Sequence, residues 1–440
     1  MTRLYNEAAA DADPAYIFAP QTVEQVKDIL AWSGDRNLKV IIHTTGHDFE
    51  GRSGNGDVIL HMGKLSNVTY DPKTEIVTVG GGARVMDVNR ALAPFDRALS
   101  MGTNQGVGVA GLTLGGGGAY TSRLHGLTCD ALVEIEICTF AGKRFRVTDE
   151  SDPALMRLLR GAGGGWFGVI TELKFRTYPI YPVTMFYAAW DIAQGRKVFG
   201  PLEQAMISAP PQLSMRIGAD IFPKDRNTVF TVLGQVQGGE DELVDRHFGD
   251  LRKSGDWKVK TIPYYEAMAS AVHQASGGCF KIKTRFVMKP VGSKSLVELL
   301  DYLPTWTPTA NPDGAGFAMF AWGGKIREFP AEKSCVPARQ AEYLNFYGSS
   351  WTRAETDKEV DEQLRWVKRM DDIVAAGGAS DLSFVNFSDC DEGKYSDRHL
   401  KPFLSELTAM AKKHNPAGLW NPPSRCRQLK PSKAAVEENA

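Results

Sequence analysis

From Gly102 to Gly118 the chain reads Gly-Thr-Asn-Gln-Gly-Val-Gly-Val-Ala-Gly-Leu-Thr-Leu-Gly-Gly-Gly-Gly. No other segment restricts the fold as much. Glycine makes up 44 of 440 residues, against a usual share of about 7%, and the excess crowds between Gly46 and Gly168. A run with almost no charge and no bulk exposes its own backbone. Main-chain N–H groups presented this way can cradle a diphosphate without help from lysine or arginine. A tight structural turn uses the same residues, so both readings stand at this point.

The nicotinamide dinucleotide fingerprint fits poorly. That motif opens a helix directly after a first strand and carries an acidic residue about 20 positions on, whereas here the block lies a hundred residues into the chain. The 51 Lys and Arg residues against 52 Asp and Glu give a net charge of −1 and argue against a nucleic-acid partner. No secretory leader pattern and no apolar run of membrane-spanning length is present, so a cytoplasmic protein without a membrane partner is expected. The six cysteines show no paired metal spacing and read as reduced and buried. Oligomeric state is not legible.

Local patterning is clear in the first part. Thr22 with Gln25 predicts a capped amphipathic helix over 20–32 ending at Gly34. Residues 39–42, 58–60, 68–70, 76–79, 132–140, 144–147 and 169–176 read as strands, and 86–92 and 153–159 as helices. The stretch Tyr178-Pro-Ile-Tyr-Pro182 ends the glycine-dense region. Beyond it, strands are expected at 188–190, 213–219, 228–235, 281–287 and 316–322, with helices at 240–253, 293–303, 357–376 and 399–414. The expected architecture is therefore α+β, its second unit an antiparallel sheet covered by helices.

Six separated segments occur in an order that resembles a known family: Ile41-Ile-His-Thr-Thr-Gly-His-Asp-Phe-Glu-Gly51, the glycine block, His125-Gly-Leu-Thr-Cys-Asp130, Arg160 to Glu172, Phe384-Val-Asn386 and His414-Asn-Pro416. They resemble the berberine-bridge-enzyme-like branch of the vanillyl-alcohol-oxidase flavoproteins. The resemblance implies a PCMH-type FAD-binding domain in two parts, residues 1–178 and 396–440, with a substrate-binding domain inserted at 179–395. It also implies that His47 forms an 8α-histidyl bond to FAD. Asn104 stands where the family often has a cysteine, so a single tether through His47 is expected. His43, Thr44, Thr45, Gly46, Asp48, Gly102, Thr103, Val107, Gly108, Gly111, Leu112, Gly115, Gly116, Gly168 and Val169 are implied to hold the cofactor. Val107 in place of a bulkier residue favours O2 as the electron acceptor. No metal is expected, because His43 and His47 lie on a loop with no further ligands nearby.

Oxidising a hydroxyl group on a flavin needs an acceptor for the hydroxyl proton. Tyr120 and Asn386 are the catalytic candidates, and Phe384, which occupies a family tyrosine position, excludes a base there. Tyr265, Lys283, Arg285 and Phe384 are the substrate-side candidates. Lys281, Lys283 and Arg285 alternate with Phe280, Ile282 and Thr284, which suits either a solvated face or a cationic face over the flavin. Asp389 and Asp391 read as surface-loop residues. The expected activity is an FAD-dependent oxidase acting on an alcohol, sugar lactol or phenol and releasing H2O2. A tailoring flavoenzyme performing oxidative cyclisation or C–H oxidation, a dehydrogenase and an inert flavin carrier are the alternatives.

Overall fold

The computed structural model describes residues 4–9, 14–54, 56–224, 226, 228–270, 278–389 and 396–420. Its glycine-rich part builds two small sheets and a short two-stranded pairing of Arg97–Ala98 with Tyr178–Pro179. A parallel sheet orders Tyr16–Phe18, Val58–His61 and Val40–His43, and Val23–Asp35 packs its apolar stripe beside it. Thr22 caps that helix by accepting from the Gln25 amide, and the helix runs one residue past Gly34. The second sheet is antiparallel, in the order Val68–Asp71, Ile76–Gly80, Gly168–Arg176, Leu132–Thr139 and Arg144–Val147. Its core also takes in Leu400 and Leu407, so the chain after 396 returns to this unit.

Seven antiparallel strands form the sheet of the middle part. Their order is Asp256–Ile262, Val183–Trp190, Thr228–Gln237, Leu213–Ile221, Ala315–Ala321, Tyr343–Trp351 and Cys279–Val287. Helices Ile192–Ser208, Ser293–Tyr302 and Asp357–Ala376 cover one face, burying Phe199, Leu299, Trp366 and Met370 against Phe317, Met319 and Tyr347. The other face turns toward the glycine-rich unit.

Several elements differ from the sequence reading. Ile192–Ser208 is a helix despite Pro201 inside it. Val183–Trp190 is far longer than 188–190, and Tyr343–Trp351 and Asp256–Ile262 are additional strands. The helix expected over 399–414 begins at Leu404, after short helical turns at Ser396–His399 and Lys401–Phe403. Cys129, Cys138, Cys279 and Cys335 are buried free thiols; Cys390, Asp391 and Cys426 lie outside the described residues. Among the described residues no helix is long and apolar enough to cross a membrane.

Candidate active site

Between the glycine-rich unit and the open face of the large sheet lies a cavity of about 780 Å³, within the range of small-molecule clefts. One wall is backbone. Gly102, Gly108, Gly111, Gly115 and Gly118 line it, joined by Gly163, Gly164, Gly165 and Gly168. A Cβ built on Gly111 meets nothing within 4 Å, so that backbone faces open space. At Gly108 a Cβ would stand 2.8 Å from the Thr44 methyl group, and at Gly115 2.3 Å from the Asn386 amide nitrogen. Glycine at these two positions lets the 44–47 loop and Asn386 close against the block.

His47 reaches this wall from the loop after Val40–His43. Its Nδ1 pairs with Thr45 Oγ1 at 3.2 Å, and Thr45 Oγ1 accepts from the Gly108 amide at 3.1 Å. The Tyr5 ring stacks on the imidazole at 4.5 Å. Burial holds the His47 pKa below the usual imidazole range, outweighing its hydrogen bond, so the ring is neutral at pH 7 and nucleophilic. Asp48 is turned into its own loop, accepting from the amides of Glu50 and Ser53.

Of the residues implied to hold the cofactor, Thr44, Thr45, Gly46, His47, Asp48, Gly102, Thr103, Asn104, Val107, Gly108, Gly111, Leu112, Gly115 and Gly168 line this one cavity. Three sit elsewhere. His43 points to Ser53 O and to the ring of His61, its cross-strand neighbour. Gly116 faces Phe384 and Val336, and Val169 is packed in the core beside Cys138 and Phe140.

On the substrate side, Tyr120 and Phe384 line the cavity. Asn386 does too, but its carboxamide accepts from the Gly117 amide at 2.8 Å and donates to Leu112 O at 3.1 Å. It braces the glycine block through these two bonds. Lys283 and Arg285 correct the expectation of a cationic face. The alternation of this strand is as read, but Phe280 and Ile282 face the cavity while Lys281, Lys283 and Arg285 turn to the helix side. There the two lysines bond Asp389, which is 4% exposed and not a surface residue, and Arg285 grips Asp371 at 2.6 and 2.8 Å. Tyr265 is likewise engaged away from the cavity, donating to Arg97 O at 2.5 Å.

Two charged residues that the sequence reading passed over do face the cavity. Arg216 and Asp220, on Leu213–Ile221, share its open side and form an ion pair at 3.2 Å. Their signal was the alternation Ser214, Arg216, Gly218, Asp220, which reads equally well as a solvated strand face.

The residues present fit a flavin dinucleotide: a side-chain-free backbone cradle, a neutral histidine at its edge and, opposite, a sheet face that is apolar around the Arg216–Asp220 pair. Comparison with known proteins agrees. Residues 14–148 match the family model described as an FAD binding domain. An uncharacterized FAD-linked oxidoreductase of Bacillus subtilis, YgaK, is 26% identical over 88% of this chain and 86% of its own length. A xylooligosaccharide oxidase of Thermothelomyces thermophilus is 30% identical over 48% of this chain and 44% of its own. The solved BBE-like 1 protein of Physcomitrella patens superposes with a TM-score of 0.84 at 22% identity, covering 98% of this chain and 95% of that one. This chain is an FAD-linked oxidoreductase of the berberine-bridge-enzyme-like, PCMH-type fold. In the oxidoreductase, the N-terminal unit carries the matched FAD-binding segment and the seven-stranded sheet roofs the same cavity.

Proposed function

We propose that this oxidoreductase is an oxidase for a small hydroxyl-bearing substrate, an alcohol, sugar lactol or phenol, with FAD attached through His47 alone and O2 as the final acceptor, released as H2O2. The observation that carries this reading is the single cavity in which His47, the glycine backbone and Tyr120 meet the sheet face. Bound FAD would supply the two-electron acceptor. The chain's own residues do the rest. The glycine N–H groups would hold the diphosphate, and neutral His47 would supply the covalent tether. Asn104, whose side chain accepts from the Gly106 amide at 2.8 Å, has no sulfur to add a second.

Tyr120 is the proposed proton acceptor, with the Arg216 cation as the charged group that favours its ionised form. Phe384 and Trp322, edge to face at 5.5 Å, add apolar surface to the same cavity. The xylooligosaccharide oxidase among the relatives supports an oxidase acting on hydroxyl groups.

The test is a visible absorbance spectrum, then acid precipitation. Yellow colour that stays with the wild-type pellet and is released from His47→Ala supports the tether, and H2O2 release on addition of alcohols, sugars or phenols supports the oxidase. Protein that stays colourless after incubation with FAD overturns the reading.

A further inference from the structure

The Arg216–Asp220 pair is built into the cavity roof. On the register of the sheet, Arg216 stands directly between Leu233 and Phe320, and Asp220 lies beside Gly316. Gly218, between the two charged residues on the same face, has no side chain, so the arginine can lie along its strand toward the carboxylate. Gly316 makes room for the other end: a Cβ there would stand 2.4 Å from Asp220 Oδ1. The carboxylate thus rests over a bare backbone position, and Gly348, across from Gly316, is bare as well.

Around the pair the roof is apolar, formed by Leu233, Phe320, Leu344, Phe346 and Ile282. The Arg216 side chain is 24% exposed, and the residue lines the cavity. Asp220 engages one nitrogen only, Nη2, at 3.2 and 3.3 Å, which is long for an ion pair. Among the described residues, the Nε–H and Nη1–H groups bond no protein atom. A guanidinium keeps its charge at any working pH, and in an apolar enclosure a second anion at its open donors gains far more than it would in water. Arginine's planar fork matches a carboxylate in both spacing and direction.

We infer that the substrate of this site carries a carboxylate, held by the open donors of Arg216, with an aromatic or other planar apolar body lying under Phe320 and Phe346 across the bare Gly316–Gly348 positions. This rests on the proposed reading of the cavity as the oxidase site and narrows its substrate class. It also fixes a sign. Substrate carboxylate and Asp220 share one cation, so Asp220 opposes the substrate's charge while it orients the arginine.

The experiment is calorimetric titration of the purified FAD-loaded protein with two probes of the same body, 4-hydroxyphenylacetate and 2-(4-hydroxyphenyl)ethanol. The inference expects the acid to bind about tenfold or more tighter than the alcohol. Arg216→Met should remove that preference by weakening the acid alone, and Arg216→Lys should retain part of it, since charge survives without the fork. Asp220→Asn should tighten the acid, a direction that a merely structural role for the pair would not give. Equal binding of the two probes by the wild type, which needs no variant, overturns the inference, as does a preference unchanged in Arg216→Met or an acid weakened in Asp220→Asn. The titration is run without O2, which stops turnover, and H2O2 release is scored separately in air, so a protein that prefers the acid yet yields no H2O2 overturns the oxidase reading and leaves the anion site standing.

Discussion

Burial pushes the Tyr120 phenol up to about 12, against the opposing pull of Arg216. A base with so high a pKa is mostly protonated at neutral pH, and its reactive form grows tenfold per pH unit. If Tyr120 takes the substrate proton, kcat should climb with pH from about 6 to about 10 without a plateau, and Tyr120→Phe should flatten the profile and cost about 100-fold in rate. A pH–rate series on both proteins checks this. At this scale the sequence pointed to the glycine block by its composition, and to His47 only through the family resemblance; both line the cavity. It did not show Arg216, because a single charged residue on an alternating strand looks the same whether the face beyond it is water or a cavity.

The strand Cys279–Val287 shows what alternation can and cannot tell. Its period of two separates Phe280 and Ile282 from Lys281, Lys283 and Arg285, and that division is legible in the residues. Which set faces the cavity is not, because both faces of this strand are covered and solvent gives no polarity to read. The bases went to the helix side because Asp371 and Asp389 wait there. Burial pushes the Asp389 carboxyl up, but Lys281 and Lys283 outweigh it and hold it below the usual carboxylate range; Arg285 and Tyr347 do the same for Asp371. Both carboxylates therefore contribute stability above the unfolded-state value of about 3.9, and that contribution is lost as pH falls through their lower folded values. Asp389→Asn, which leaves two buried ammonium groups facing a neutral amide, should cost about 3–5 kcal/mol, read as a lower urea midpoint at pH 7. The missed helix Ile192–Ser208 has a similar lesson: Gly195, Gly200 and Pro201 disguise it in sequence, while packing against the sheet through Phe199 and Leu202 secures it.

Across the whole molecule, glycine density falls near Tyr178, just before the large sheet takes its strand Val183–Trp190. How the sheets are tied together was not legible, because the tie is made by residues before the first strand. Asn6, 2% exposed, donates to Phe49 O at 2.8 Å on the His47 loop and to Phe280 O at 3.0 Å on the large sheet, and accepts from the Phe280 amide at 3.2 Å. Tyr5 beside it donates its amide to Gly46 O at 2.8 Å. Asn6→Ala would leave several of these buried backbone groups without partners, at about 1–3 kcal/mol each. The Phe280 amide should then exchange its hydrogen faster than in the wild type, while amides in the Leu132–Thr139 strand should be unaffected.

The same asparagine also sets an order in time. It bonds a residue 274 positions away, and at about 5–20 residues per second a ribosome needs roughly 15–55 s to make the intervening chain. For most of that interval the nascent His47 loop exists without the bond that ties it to the large sheet, so the two cavity walls are joined only after the strand that carries Phe280 has been made.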